Sequence, residues 1–420
     1  MENLVIKGQQ PLAGEIAVSG SKNAALPILA ATLLTEAPCV IHNVPQLRDT
    51  MTMIKLLRAL GKKVDVQKDT LTVTQKGPLN HIAEYDLVST MRGSFCVLGP
   101  LLARLGHAQV SLPGGCVIGI RPVDLHLKGL RGLGAQIDIA SGYVVARAKR
   151  LKGRHLYLGG VLGSSVLATA NIMMAAVLGQ GSTIIESAAC EPEIVDLANF
   201  LIAMGADITG QGSPRITIRG VRTLQGADYP ICCDRIEAGT YLILAAATRS
   251  NLTIHNVPAH HVLALIDKLQ DAGVHFHCMD QTITVQVKKN LQPVSVTTYP
   301  YPGFPTDLQA QFMALMALTP GVSVIIDKVF PDRFIHIAEL NRMGARIRRE
   351  GSAAIVEGVK KLHGAPVMAS DLRASAALVI AGIAAEGETE ISRIYHLDRG
   401  YESLDDKLRK LGAQIKRVRT

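Results

Sequence analysis

The sequence has no tryptophan, and aromatic residues make up only 4% of its 420 residues. Hydrophobic residues nevertheless make up 48% and charged residues 19%, which is typical of a well-packed globular protein. A core without many aromatics must be built from Ala, Leu, Ile, Val and Met. Because a single core rarely grows beyond about 250–300 residues, we expect two domains.

The seven cysteines form no Cys-x-x-Cys pair and show no metal-ligand spacing. A scattered, odd set of cysteines in a long chain indicates reduced thiols in a cytoplasm. The first residues, MENLVIKGQQ, do not read as a signal peptide, and no apolar stretch is long and polar-free enough for a convincing membrane span. We therefore expect a cytoplasmic protein without a metal site.

The formal net charge is +9. A basic balance suits anionic partners, either nucleic acid or phosphorylated small molecules, but it also serves solubility alone. Charge by itself does not choose between these interpretations.

One short pattern occurs six times: an amphipathic helix, a glycine and then a strand. Successive copies lie 68 to 73 residues apart, which indicates a repeated supersecondary unit. Each glycine stands where a helix ends in a left-handed residue. The copies are LRALGKKV (Gly61), LRGLGAQI (Gly134), FLIAMGADI (Gly205), LQDAGVHF (Gly273), LNRMGARI (Gly344) and LRKLGAQI (Gly412).

Each unit also contains a helix that is apolar on all sides and therefore predicted to be buried, followed by a short strand. This alternation favours an α/β fold of two domains, each made of three repeats with helices inside and sheets outside. We expect residues 22–231 to form one domain, and residues 1–21 with 232–420 to form the other. The N-terminal strands would complete the second domain, because the last unit ends abruptly at GAQIKRV.

Cations stand at the N-termini of four of these buried helices, at Lys22, Arg92, Arg235 and Arg373. Ser, Thr and Asp at the same places are explained by helix capping. Cations oppose the helix dipole there, so an anion held by both the helix end and the cation explains them better. We predict a cleft between the domains that binds several negative charges.

The segment 111–126, SLPGGCVIGIRPVDLH, is rich in glycine and therefore able to move. Cys116 lies in its middle and Arg121 follows. A lone cysteine is usually a small buried hydrophobe. The flanking glycines and the nearby cations favour an accessible, reactive thiol here.

Several long motifs resemble the bacterial UDP-N-acetylglucosamine 1-carboxyvinyltransferases, over about residues 3 to 418. They are SGSKNAALPILAATLL, PGGCVIGIRPVDLH, EPEIVD, GFPTDLQAQF, DLRASAALVIAG and IYHLDRGYE. The resemblance implies two inside-out α/β barrels of three repeats each. It also implies transfer of enolpyruvyl from phosphoenolpyruvate to the 3′-hydroxyl of UDP-N-acetylglucosamine, the start of peptidoglycan synthesis. The implied route is addition and elimination through a tetrahedral phospholactoyl intermediate, with no metal or organic cofactor.

The same resemblance implies roles for residues that match the family motifs. The catalytic set would be Cys116 as proton donor, which is expected to react with the epoxide fosfomycin, Asp307 as base, Lys22 and Arg399. Phosphoenolpyruvate would be bound by Lys22, Asn23, Arg121, Arg373 and Arg399. The nucleotide sugar would be bound by Arg92, Arg121, Pro122, Val123, Asp124, Leu125, Ser165, Asp307 and Val329.

Other matches allow two interpretations. Asp371 would orient neighbouring arginines, while Asp234, Glu191 and Arg333 fit the site, a helix cap or a structural ion pair equally. His126 is at least as well explained as a hydrogen-bonding residue behind the site. The segment LYLGGVLGSSVLATAN departs from the family by an insertion and lacks a lysine near the expected uridine phosphates.

Two alternatives share a six-unit architecture. One is the sister enzyme that acts on shikimate 3-phosphate, which we would not expect to carry PGGC followed by RPVDLH. The other is a DNA sliding clamp, which needs Lys and Arg on its inner helices. The inner helices here are rich in Ala and Leu, so we expect no nucleic-acid partner and no membrane partner.

Overall fold

The protein is described by a computed structural model over residues 2–113, 123–287 and 290–419. These residues form two compact units. The N-terminal unit comprises residues 20–113 and 123–232, and the C-terminal unit comprises residues 2–19, 233–287 and 290–419. Each unit has a hydrophobic core of its own.

The strands are short and recur throughout both units. In chain order they are β1 (Glu2–Lys7), β2 (Ala13–Ala17), β3 (Cys39–His42), β4 (Lys62–Gln67), β5 (Thr70–Gln75), β6 (Ile82–Ala83), β7 (His107–Ser111), β8 (Gln136–Ala140), β9 (Tyr143–Arg147), β10 (His155–Tyr157), β11 (Ser182–Glu186), β12 (Asp207–Thr209), β13 (Arg215–Arg219), β14 (Asp228–Pro230), β15 (Asn251–His255), β16 (Val274–Met279), β17 (Thr282–Val287), β18 (Val296–Thr298), β19 (Val322–Asp327), β20 (Arg346–Glu350), β21 (Ala353–Glu357), β22 (Pro366–Met368), β23 (Glu388–Ser392) and β24 (Gln414–Arg419).

The helices alternate with these strands. They are α1 (Lys22–Ala31), α2 (Arg48–Ala59), α3 (Tyr85–Val88), α4 (Leu98–Leu105), α5 (Asp124–Gly132), α6 (Val166–Ala176), α7 (Pro192–Ala203), α8 (Arg235–Thr248), α9 (Leu263–Asp271), α10 (Gln309–Ala317), α11 (His336–Arg342), α12 (Leu372–Ala384) and α13 (Leu404–Lys410). Short 3-10 helices cover Thr32–Leu34, Arg92–Val97, Ala259–Val262, Thr306–Leu308 and Ile394–Arg399.

Within the described residues, each unit contains three four-stranded sheets of one topology. The orders are β14-β3-β5-β4, β6-β7-β9-β8 and β10-β11-β13-β12 in the N-terminal unit, and β16-β17-β15-β2, β18-β19-β21-β20 and β22-β23-β1-β24 in the C-terminal unit. In every sheet one edge strand pairs in parallel and the other pairings are antiparallel. A topology common to six sheets supports the sixfold repeat.

Strand β1 completes the last repeat of the chain. Leu4 lies opposite Ile391 of β23 on one side and Arg417 of β24 on the other. In the other repeats the strand at this position in the sheet comes from the same repeat. For example, β5 lies between β3 and β4 and directly follows β4 in the chain. The final repeat contributes β23 and β24, and the strand between them is β1 from the N-terminal segment.

Two kinds of helix occupy different layers. Helices α1, α4, α6, α8, α10 and α12 are rich in Ala and Leu and are largely buried, and every residue of α10 is buried. Helices α2, α5, α7, α9, α11 and α13 bury one face. Each of these is followed by one of the six repeated glycines, with φ between 93° and 102°. That left-handed conformation confirms the predicted helix ends.

Candidate active site

Asp307 of the C-terminal unit is held between two buried arginines. It lies in the 3-10 turn that leads into α10, and its side chain is 27% exposed. Its Oδ1 accepts a hydrogen bond from Arg333 Nη1 at 2.7 Å, and its Oδ2 accepts one from Arg373 Nη2 at 3.2 Å. The side chains of Arg333 and Arg373 are 5% and 1% exposed. The structure therefore brings a predicted base together with one predicted phosphoenolpyruvate ligand.

The two guanidinium groups remain charged despite their burial. Burial is the largest single influence and lowers the pKa of each, but Asp307 and the other neighbouring acidic groups together raise it by more, so both pKa values lie above the usual range for arginine. Arg373 also lies 5.3 Å over the ring of Tyr401. Its Nε and Nη1 atoms are buried and make no hydrogen bond to any residue in the described ranges. Buried donors of this kind favour an anionic ligand.

Asp371 stabilises the start of α12, next to Arg373. Its Oδ1 accepts hydrogen bonds from the backbone N–H groups of Arg373 and Ala374 at 2.8 and 3.1 Å. Asp371 is therefore the N-cap residue of α12, and the cap fixes the first turn of the helix, from which the Arg373 side chain extends. The Asp371 charge also contributes to the raised pKa of Arg333. The cap and the orienting role are thus compatible.

Arg399 and Val329 lie on other elements of the C-terminal unit. Arg399 is the last residue of the 3-10 helix Ile394–Arg399. Burial lowers the pKa of His396, and the Arg399 charge lowers it further, so these two side chains are near each other. The backbone N–H of Val329 donates to Asp327 Oδ1 at 3.0 Å.

Lys22 opens α1 in the N-terminal unit and is 7% exposed. Ser21 caps the helix by accepting from the Ala24 N–H at 3.3 Å, and Asn23 follows Lys22 with intermediate exposure. The Lys22 ammonium lies 3.2 Å from Asp49 Oδ2 on α2. A buried carboxylate beside it supports the ammonium where the dipole of α1 opposes it.

Arg92 begins the 3-10 helix before α4, near a buried histidine. Burial, reinforced by the Arg92 charge, lowers the pKa of His126 to about 3, so the ring is neutral. Asn171 Nδ2 donates to His126 Nδ1 at 3.0 Å and to the Phe95 carbonyl at 3.0 Å. Asn171 Oδ1 accepts from the Gly99 N–H at 2.6 Å. His126 therefore belongs to a hydrogen-bonded network behind Arg92.

The remaining N-terminal positions lie at the starts of α5 and α6. Val123 precedes α5, and Asp124 and Leu125 are its first two residues. Ser165 caps α6 by accepting from the Ala168 N–H at 3.3 Å. Cys116, Arg121 and Pro122 lie outside the described residues.

The inserted segment just before Ser165 forms a small turn. Gly160 and Gly163 exchange backbone hydrogen bonds of 2.9 and 3.1 Å, and Gly163 has a φ of 91°. Between them Val161 is fully exposed and Leu162 is 46% exposed. This segment therefore presents two apolar side chains to solvent just before Ser165.

Three further positions lie at the N-termini of helices. Asp234 caps α8 by accepting from the N–H groups of Ile236 and Glu237 at 2.9 and 3.0 Å. Arg235 begins α8 and lies 5.4 Å over the ring of Tyr301. Glu191 is the residue before α7 and is 8% exposed.

Several residues at these sites were not singled out from the sequence, namely Asp49, Asn171 and Asp327. Asn171 could have been found from the sequence, because a buried amide inside the apolar run VLATANIMMAA requires a hydrogen-bond partner. Asp327 is a weaker case: the only indication in the sequence is that a carboxylate ends the apolar strand VSVIID.

Two absences apply to the described residues alone. In these ranges no three His, Cys, Asp or Glu side chains cluster as metal ligands would. None of the helices in the same ranges combines the length and the apolar character needed to span a bilayer.

Comparison with known proteins places the chain in a family. The family model for EPSP synthase (3-phosphoshikimate 1-carboxyvinyltransferase) matches residues 6–408. UDP-N-acetylglucosamine 1-carboxyvinyltransferase of Methylacidiphilum infernorum is 52% identical over 418 residues, covering 100% of this chain and 99% of the relative. The protein of the same name from Geotalea uraniireducens is 54% identical over 418 residues and covers 100% of both chains.

Solved structures agree with the architecture. The enolpyruvyl transferase NikO from Streptomyces tendae superposes with a TM-score of 0.90 at 26% identity, covering 99% of each chain. EPSP synthase from Acinetobacter baumannii superposes with a TM-score of 0.77 at 18% identity, covering 100% of each chain. The predicted pair of inside-out α/β barrels is therefore confirmed. By sequence over its full length, and by fold, this chain is a member of the enolpyruvyl transferase family that contains the 3-phosphoshikimate and UDP-N-acetylglucosamine 1-carboxyvinyltransferases.

Proposed function

We propose that the chain is a UDP-N-acetylglucosamine 1-carboxyvinyltransferase. It transfers the enolpyruvyl group of phosphoenolpyruvate to the 3′-hydroxyl of UDP-N-acetylglucosamine and releases phosphate. This reaction begins peptidoglycan synthesis.

The observation that carries the proposal is the pairing of Asp307 with Arg373. Arg373 is almost fully buried, and its Nε and Nη1 make no hydrogen bond within the described ranges, while its Nη2 contacts the Asp307 carboxylate. A phosphate or carboxylate of phosphoenolpyruvate would satisfy these donors through the two-pronged geometry of guanidinium. The neighbouring carboxylate would be placed to take a proton from a hydroxyl that attacks the bound enol.

The choice of acceptor depends on the relatives. The curated relatives described above are 52% and 54% identical and are named for UDP-N-acetylglucosamine. The EPSP synthase structures are 17% and 18% identical, which supports a shared fold alone. Shikimate 3-phosphate is therefore the alternative acceptor that an experiment should include.

The chemistry requires two proton transfers in the addition and a third in the elimination. The 3′-hydroxyl oxygen bonds to C2 of phosphoenolpyruvate while Asp307 takes the hydroxyl proton and Cys116 gives a proton to C3. In the elimination, phosphate leaves C2 while the thiolate of Cys116 takes a proton from C3, which restores the double bond. Cations that hold the phosphate and the carboxylate stabilise charge as it shifts between these states.

The binding roles follow the family motifs. For phosphoenolpyruvate we assign Lys22, Asn23, Arg121, Arg373 and Arg399, with Lys22 and Arg399 also acting in catalysis. For the nucleotide sugar we assign Arg92, Arg121, Pro122, Val123, Asp124, Leu125, Ser165, Asp307 and Val329. Placement of Lys22, Arg92 and Arg373 at or next to the first residue of inner helices supports an anionic ligand.

We further propose that the reaction uses no metal or organic cofactor and takes place in the cytoplasm. Its partners are then the two small-molecule substrates. The chemistry is neither a redox reaction nor the hydrolysis of an unactivated bond, so it needs no such group.

The test is phosphate release from phosphoenolpyruvate with each acceptor in parallel. Release with UDP-N-acetylglucosamine and not with shikimate 3-phosphate is expected. Release with shikimate 3-phosphate alone would mean that the fold is correct and the acceptor wrong. No phosphate release with either acceptor would reject the proposed function. The turn before Ser165 would then be the first segment to examine.

A further inference from the structure

Asp327 is a fully buried carboxylate at the end of β19, and the side-chain hydrogen-bond partners found for it among the described residues belong to the C-terminal unit. Its Oδ1 accepts hydrogen bonds from Thr298 Oγ1 at 2.8 Å and from the backbone N–H groups of Val329 at 3.0 Å and Phe330 at 2.7 Å. Its Oδ2 accepts one from Thr306 Oγ1 at 2.7 Å. Four donors thus converge on one carboxylate, which compensates for its burial.

The Thr306 hydroxyl links Asp327 to the candidate base. A hydroxyl has one proton, and the ionised carboxylate of Asp327 can only accept, so that proton points at Asp327. The Thr306 oxygen is then free to accept from Arg333 Nη1, which lies at 3.2 Å. The same Nη1 donates to Asp307 Oδ1 at 2.7 Å. The direction of each bond in this chain is therefore determined.

We propose that Asp327 is a positioning residue for the reaction, acting on Asp307 through Thr306 and Arg333. By fixing the Thr306 hydroxyl, Asp327 holds the Arg333 guanidinium at the angle that orients the Asp307 carboxylate. This inference rests on the proposed role of Asp307 as base.

The same carboxylate also holds the turn that carries Val329. Its two backbone hydrogen bonds fix residues 328–330, where Val329 is assigned to the nucleotide sugar. Asp327 thus couples the orientation of the base to the position of the acceptor substrate. A small misalignment of either reacting group lowers the rate strongly, because productive geometry is narrow.

Thr306 provides the sharper test, because its hydroxyl carries the link to Arg333 while the turn keeps its own bonds to Asp327. Thr306→Val removes the hydroxyl, and we expect kcat to fall at least tenfold with the KM for UDP-N-acetylglucosamine within about twofold of wild type. Thr306→Ser keeps the hydroxyl, and we expect kcat within about twofold. Asp327→Asn changes both functions, so kcat should fall and the KM for the nucleotide sugar should rise.

The control is Asp332→Asn. Asp332 is exposed and bonds to Arg349 on the surface, five residues from Asp327, so its kinetics should equal those of wild type. A structural role alone would lower the melting temperature of the variants and leave kcat per folded enzyme unchanged. Circular dichroism therefore accompanies each measurement. Thr306→Ala replaces the valine variant if that protein does not fold.

The outcomes separate this inference from the proposed function. If wild type releases phosphate with neither acceptor, the proposed function is wrong and the inference falls with it. If wild type is active and a folded Thr306→Val or Thr306→Ala protein keeps wild-type kcat, the inference alone is wrong. A Thr306→Ser protein as slow as Thr306→Val would also overturn it, because the hydroxyl would then not be the operative group.

Discussion

Replacing Asp307 by asparagine separates its roles in structure, binding and catalysis. The substitution keeps the shape of the side chain and removes its charge. Arg333 and Arg373, whose side chains are 5% and 1% exposed, then lose the carboxylate at 2.7 and 3.2 Å. Two buried guanidinium groups are left with less negative charge beside them.

Loss of one partner of a buried ion pair costs about 3–5 kcal/mol. We expect the lower end, about 3 kcal/mol, because the asparagine oxygen still accepts from one arginine and Asp307 is 27% exposed. For a unit of roughly 200 residues, each kcal/mol lowers the melting temperature by about 2–4 °C, so a decrease of about 6–12 °C is expected. Scanning calorimetry measures it.

The affinity for an anion should increase in Asp307→Asn, although the stability of the protein decreases. Without the Asp307 charge, the arginines attract phosphate more strongly, so inorganic phosphate should raise the melting temperature of Asp307→Asn by more than that of wild type. The KM for phosphoenolpyruvate should not rise. Turnover should fall by a factor of about 10²–10⁴, which is the usual contribution of a general base.

The control for these measurements is Asp332→Asn, which removes an exposed carboxylate from the same unit and should change none of the four quantities: the melting temperature, its increase with phosphate, the KM for phosphoenolpyruvate and the turnover. Wild-type turnover in Asp307→Asn would remove Asp307 from the role of base. An unchanged melting temperature would show that the two arginines do not depend on its charge. Either result would refute the reasoning from the ion-pair geometry.

Three further predictions follow from separate parts of the chain. With UDP-N-acetylglucosamine present, fosfomycin should alkylate Cys116 and leave the exposed Cys278 unmodified; peptide mass spectrometry decides, and an unmodified Cys116 would contradict its reactivity. Buried His126 has a pKa lowered to about 3, so folding stability should fall as pH drops below about 6.5, by about 2 kcal/mol at pH 5. Urea unfolding should show this loss reduced in His126→Gln. Gly205→Ala should cost about 1 kcal/mol in the same assay, because φ is 99° and no atom crowds the new methyl group, and Gly205→Asn should cost less. Equal stability of all three residue types at position 205 would contradict the left-handed helix end.

The repeats could be predicted because they are local patterns. Apolar spacing identified both kinds of helix, and the glycine after each amphipathic helix does have positive φ, for example at Gly61 and Gly412. The N-terminal strands could be placed because the last repeat lacked a strand, and β1 pairs with β23 and β24. The sequence predicts that the segment around residues 159–163 departs from the family pattern, and the exposure of Val161 is known only from the structure.

The candidate site was predicted in part. Cations at inner-helix N-termini were visible because they contradict the preference of the helix dipole, and Lys22, Arg235 and Arg373 indeed lie there with little exposure. Capping by Asp234 and Asp371 followed from the same positions. The assigned catalytic roles remain predictions that the kinetic experiments above test.

The sequence by itself determined the sixfold repeat, the two kinds of helix, the family and the glycines with positive φ at the helix ends. Each of these depends on residues that are close together in the chain. Only the tertiary structure decided which side chains meet. Arg373 reaches Asp307 across 66 residues of chain, and Arg333 reaches it across 26. Asp327 lies within hydrogen-bond distance of Thr306 because the end of β19 packs against the turn that precedes α10. Such contacts depend on the packing of helices and strands distant in sequence, and no local pattern specifies them.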